Sequence, residues 1–166
     1  VQEWSNAAYA ALLAGRAETA VPLLKQALAV EPGAPDLLNN LSKAYEMQGR
    51  SDEAETLVRD IHRRFPDYLF ARTTLATIHA RQGQFDEARE LLDPVRSQTK
   101  FHITEFAALV YAEFEIAMLR GADDVAKSWL KMMEQASPEH SSLPTMRYQL
   151  QLSEIRHGAR PQLKLR

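Results

Sequence analysis

Apolar residues in this chain recur at helical spacing, and the pattern restarts every 34 residues. Gly15, Gly49 and Gly83 stand one such step apart, each followed five residues later by an alanine: Ala20, Ala54 and Ala88. Laying residues 1–34, 35–68 and 69–102 under one another aligns Trp4 with Leu38 at the fourth position and Leu41 with Leu75 at the seventh. The eighth position is small in all three copies (Ala8, Ser42, Ala76), as is the twentieth, so a first and a second helix can approach closely. The glycine supplies the turn between them, where a left-handed backbone costs least without a Cβ. Asp52, Glu53, Asp86 and Glu87 fall at the start of second helices, complementing the partial positive charge there. Leu23 and Leu24, Leu57 and Val58, Leu91 and Leu92 follow, with Ala27, Ile61 and Val95 at helical spacing beyond them. Pro32 and Pro66 stop the second helices of the first two copies. Each copy reads helix, turn, helix, stop, and so short a pair must stack on its neighbours to bury an apolar face.

A fourth copy is shifted. Gly121, Ala126, Trp129, Leu130, Met133 and Pro138 repeat the second-helix half, but Gly121 lies 38 residues after Gly83. Four extra residues are close to one helical turn, so they lengthen the helix expected over 103–119 without rotating its buried face. Lys100 stands where a closing proline would be, and Pro94 falls inside a second helix, which it should kink or shorten. Residues 141–157 predict one more helix, opened by Ser142 and Pro144, with Met146, Leu150, Leu152 and Ile155 available to cover the end of a stack. Arg156, Arg160, Lys164 and Arg166 make the last stretch basic: either a tail or the beginning of another repeat.

The pattern resembles the tetratricopeptide repeat family, through Trp4, Ala8, Ala20, Ala27 and Pro32 in one copy and Leu38, Tyr45, Ala54 and Pro66 in the next, over residues 1 to about 140. The resemblance implies an all-α fold: a right-handed superhelix of stacked helix-turn-helix repeats, an α-solenoid, with a C-terminal capping helix. Its divisions are residues 1–34, 35–68 and 69–102 as three repeats, 103–140 as a divergent fourth with a long first helix, and 141–166 as capping helix and basic tail.

Composition narrows the function. Twenty basic against 22 acidic residues leave a formal charge of -2, so the chain as a whole has no attraction for nucleic acid or anionic lipid. Without cysteine there is no disulfide or thiolate chemistry, and both a reducing cytoplasm and an oxidising compartment such as the bacterial periplasm stay open. The most apolar stretch, Phe106 to Leu119, contains Glu113 and Glu115 and is too short to span a membrane. The chain begins at Val1 without Met, consistent with processing or excision, so a targeting signal can lie beyond it.

Catalytic constellations are missing from the sequence. Glu154 and His157 have the spacing of a helical di-metal motif, but such a site needs carboxylates from other helices and a second copy, so a surface pair is the better reading. His62, His79, His102 and His140 are scattered without zinc spacing, and His79 occupies the packing position that Tyr45 fills one repeat earlier. The glycines are solitary, and no serine sits in a nucleophile elbow. We expect no enzyme, no cofactor and no metal.

Members of the family usually bind extended or helical peptides on a concave face lined by their first helices. The resemblance assigns that face, residue by residue, to Gln2, Ser5, Asn6, Tyr9, Leu12 and Leu13 in the first copy. In the second it assigns Asp36, Asn39, Asn40, Lys43, Glu46 and Met47; in the third Phe70, Thr73, Thr74, Thr77, Ala80 and Arg81; in the fourth Tyr111, Glu115, Met118 and Leu119. The expected partner-binding residues are Asn6, Tyr9, Asn39, Asn40, Lys43, Met47, Phe70, Thr74, Thr77, Arg81 and Tyr111. Asn6 and Asn40 share one position, and a carboxamide can both donate to and accept from a peptide backbone, though Thr74 breaks the series. The carboxylate clamp of co-chaperone members is not reproduced: its positions hold Ser5, Tyr9, Asn40, Phe70 and Thr74, with no cation among them.

The reading that follows is a non-catalytic adaptor or scaffold that captures a peptide or helix of a protein partner. The alternative is a structural segment of a longer solenoid or of an envelope or secretion assembly, self-associating through a C-terminal end that carries Trp129 and Met132.

Overall fold

A computed structural model describes residues 1–158 of the protein, and over those residues it is all-α, with nine helices and no strand. Residues 159–166, with Arg160, Lys164 and Arg166 of the expected basic tail, lie outside the described residues. The helices are α1 (Gln2–Leu13), α2 (Ala17–Val30), α3 (Pro35–Met47), α4 (Ser51–Arg64), α5 (Leu69–Arg81), α6 (Phe85–Arg96), α7 (Ile103–Leu119), α8 (Asp123–Ala136) and α9 (Leu143–Gly158). The chain divides into two compact units, Val1–Leu75 and Ala76–Arg166, with the division inside α5 and the second unit described as far as residue 158.

Four hairpin turns share one geometry. Gly15, Gly49, Gly83 and Gly121 all have positive φ, between 69° and 78°. In the second hairpin the Gly49 N–H donates to the Glu46 carbonyl (2.9 Å) and the Arg50 N–H reaches back to the Tyr45 carbonyl (2.9 Å). The equivalent longer bond closes each of the other turns, from Arg16 to Ala11, Gln84 to His79 and Ala122 to Ala117. A left-handed residue followed by that long return bond is the Schellman stop, which satisfies carbonyls the first helix would otherwise leave open.

In the first unit, α1 packs on α2, α2 on α3, α3 on α4, and α1 also reaches α3, so successive first helices are neighbours. Its core is built of Ala8, Ala11, Ala20, Leu24, Ala27, Leu37, Leu41 and Ala44, with the small eighth and twentieth positions buried as the tight contact requires. Trp4 is 37% exposed, whereas Leu38, its equivalent, is 8% exposed on a helix against which α2 packs. Pro22 lies inside α2, which nonetheless runs 14 residues. Its side is exposed, where the missing N–H and the displaced carbonyl can be hydrated.

In the second unit, α6 packs on α7, α7 on α8 and α8 on α9, with α7 also reaching α9. Here α6 passes through Pro94 and ends at Arg96, giving 12 residues against 14 in α2 and α4. The following helix, α7, has 17 residues against 13 in α5, the same four that separate a 38-residue from a 34-residue glycine step. A capping box starts it: the Glu105 carboxylate accepts the His102 N–H (2.9 Å), and His102 Nδ1 accepts the Thr104 N–H (3.3 Å). Measured from Gly121, the small eighth position is taken in this hairpin by Phe114, fully buried with Ala126, Met133 and Met146.

Candidate functional site

The expected binding residues divide between the two units, and the two groups differ in how far their own neighbours satisfy them. On the first unit, positions 36, 40, 43 and 47 recur at three- and four-residue steps, a single stripe along α3. Lys43 and Met47 are exposed on it and Asn40 is half-buried. The Lys43 ammonium stands 5.6 Å from the centre of the Phe70 ring, a cation–π contact, and the Phe70 ring is 5.5 Å from that of Tyr68. The Tyr68 hydroxyl donates to Asp36 Oδ1 at 2.6 Å. Burial pushes the Tyr68 phenol far above its ordinary pKa, and the hydrogen bond to Asp36 adds to the shift.

Lys43 is open to water yet its pKa is lowered, chiefly by desolvation, with Asp36 opposing the shift. The Phe70 ring stands beside the ammonium while the side chain stays in contact with water. No carboxylate lies within ion-pair distance of Lys43 among the described residues. On α1, Tyr9 and Asn6 are exposed, and the Asn6 carboxamide oxygen accepts from Gln2 Nε2 at 2.8 Å.

Two expected contact residues are placed elsewhere by the packing. Asn39 is 3% exposed, not on the open stripe, because the fifth position of α3 turns toward its packed side. Its backbone carbonyl accepts the Ser42 hydroxyl (2.8 Å), and its buried side-chain oxygen has no hydrogen-bond partner. Thr77 is likewise buried at 7%, and Thr74 is half-buried.

On the second unit, Arg81 is already engaged. Its guanidinium donates to Glu115 Oε1 through Nε at 2.7 Å and through a terminal nitrogen at 2.5 Å. Tyr111, half-buried, has its pKa raised first by burial and then by Glu115. The other glutamate of the apolar stretch, Glu113, is buried and pairs with Arg96 at 2.5 Å, and this bond raises the Arg96 pKa.

The remaining candidates have structural partners. Glu154 pairs with Lys127 at 2.7 Å, while His157 Nδ1 lies 2.8 Å from Asp123, which also accepts the Ser153 hydroxyl. Both ties dock α9 on α8, and the described residues hold no group of three or more His, Cys, Asp or Glu able to bind a metal. His79 faces Gln84 at 2.6 Å, just as Tyr45, its equivalent, lies under the Arg50 guanidinium at 4.0 Å. Among the described residues no helix is long and apolar enough to cross a membrane. Sequence reasoning missed Tyr68 and its bond to Asp36; an aromatic two residues before Phe70 was the available signal.

A search of curated proteins finds no match to this chain. Two family models described as tetratricopeptide repeat do match, one over residues 11–69 and the other over 69–94. Hairpins whose glycine turns share a positive φ, first helices packed as neighbours in the first unit, and matches running from residue 11 to 94 place the chain in the tetratricopeptide repeat family.

Proposed function

We propose that this protein is a non-catalytic adaptor that captures a peptide or helix of a partner protein on the face formed by its first helices. Tetratricopeptide repeats are generally protein–protein interaction modules, and the family is generally non-catalytic. The observation that carries the reading is the α3 stripe, where Lys43 and Met47 stand exposed and Lys43 lies beside Phe70, with Tyr9 exposed on the neighbouring α1. Aromatic and methionine side chains give a partner area to bury, and Asn40 offers both a donor and an acceptor to its backbone. Randomised peptides displayed on phage test this directly. Sequences enriched by the wild-type protein should lose binding to the double variant Tyr9→Ala with Asn40→Ala, whose helical circular dichroism stays unchanged. Capture that survives both changes would remove the assignment.

A second reading, self-association through the C-terminal end, is favoured by one observation. Tyr148 and Ile155 lie seven residues apart on α9 and are both largely exposed, with Met132 of α8 also exposed. Light scattering decides it: mass that rises with concentration supports assembly, and a constant monomer mass discards it.

A further inference from the structure

Two cations lie among the expected contact residues, and their surroundings differ in a way that specifies the partner. Arg81 is neutralised by Glu115 through two nitrogens. Lys43 has an aromatic ring beside it at 5.6 Å and no carboxylate at ion-pair distance among the described residues. The acid whose charge acts on it is Asp36, seven residues earlier on α3. Asp36 in turn holds the Tyr68 hydroxyl at 2.6 Å, so its carboxylate is occupied at the far end of the stripe.

From this we infer that Lys43 is the seat for an acidic side chain of the captured segment, an aspartate or glutamate flanked by apolar residues that lie against Phe70 and Met47. The inference rests on the peptide-capture reading above. An ammonium held beside an aromatic ring, with no carboxylate at ion-pair distance among the described residues, offers an incoming carboxylate an uncontested opposite charge, and the seated segment itself would shield that pair from water. The lowered pKa of Lys43 agrees with that unpaired state of the free protein. The Phe70 ring favours the charged ammonium and limits where it can point, which fixes the position of the acid relative to the apolar contacts. A neutral apolar segment would leave Lys43 covered and unpaired, which is the unfavourable arrangement.

The probe is a random twelve-residue peptide library displayed on phage and selected against the whole chain. The most enriched peptide is synthesised with a fluorescent label and titrated by anisotropy. It is tested against wild type, Lys43→Ala, Lys43→Glu, Phe70→Ala and Tyr9→Ala, each checked for helical content. The selected peptides should carry Asp or Glu beside apolar residues, and affinity should fall about tenfold or more in Lys43→Glu. Replacing the peptide's acid by lysine should restore binding to Lys43→Glu while weakening it to wild type. Peptides that lose affinity in Phe70→Ala or Tyr9→Ala yet bind Lys43→Glu undiminished would leave the capture face standing and overturn the acidic seat. Enrichment of basic peptides would overturn it too. Binding indifferent to every one of these changes, or no enrichment at all, would remove the capture face and the acidic seat together.

Discussion

The two units solve the same packing problem with different side chains and leave different things unfinished. In the first, small residues at the eighth and twentieth positions let helices close on each other, and Lys43 on the stripe has no carboxylate at ion-pair distance among the described residues. In the second, Phe114 fills the hairpin core, and the glutamates of α7 neutralise Arg81 and Arg96. The lesson is that a repeat can spend its polar residues on itself or hold them available. Which it does is decided by whether another helix places an acid against the cation.

The core half of this contrast can be broken by volume changes of opposite sign. Phe114→Ala should cost about 3–5 kcal/mol of unfolding free energy in denaturant titration, since it empties a fully buried site. Ala54→Leu should cost about 1–3 kcal/mol by overfilling the close contact of the second hairpin. Equal and small losses from both would show that the two cores are alike after all. The polar half is sharpened by truncating each cation. Arg81→Ala should lower stability by up to about 1 kcal/mol, because its pair with Glu115 is largely solvated on the arginine side. Lys43→Ala should leave stability nearly unchanged and act on peptide binding instead. Reversal of that order in thermal melts would erase the distinction.

The smallest expected effect is a pH dependence. Each unit carries a half-buried histidine whose pKa is lowered by desolvation: His62, with Arg72 adding to the effect, and His140. They differ in that His140 Nδ1 lies 2.6 Å from the Ser142 hydroxyl, whereas the buried Nδ1 of His62 has no partner. A folded pKa below the unfolded value means the unfolded chain takes up protons first. The stability these histidines contribute is therefore intact above about pH 6.5 and is lost as pH falls through their folded values. Melting temperature should drop between pH 7 and pH 5, and His62→Leu should flatten part of that slope. An unchanged slope in the variant would assign the acid sensitivity elsewhere.

Much of the fold was legible because its determinants are local. A glycine every 34 residues, acids just after it and a proline at the close specify turn, start and stop without reference to anything distant. The 17-residue length of α7 could likewise be read from glycine spacing alone. What escaped was set by partners far away in sequence. Asn39 is assigned to the open stripe by position, yet one step around the helix separates Asn40 from a buried carboxamide. The Arg81 and Glu115 pair joins residues 34 apart, and neither charge announces its partner. Tyr68 sits at the end of a copy, where a family pattern offers no role, and its bond to Asp36 spans 32 residues. Pro22 shows a further limit, because a proline within a helix is tolerated when the carbonyl it displaces faces water.

The uniformity of the glycine turns has a use beyond folding. At all four, an added methyl group would meet no atom within 4 Å, so the local penalty of an alanine is the same backbone strain each time. Identical injuries at four sites along one chain become a gauge of mechanical coupling. Whatever differs between their effects on whole-molecule unfolding belongs to the communication between hairpins, since nothing in the wounds themselves distinguishes them.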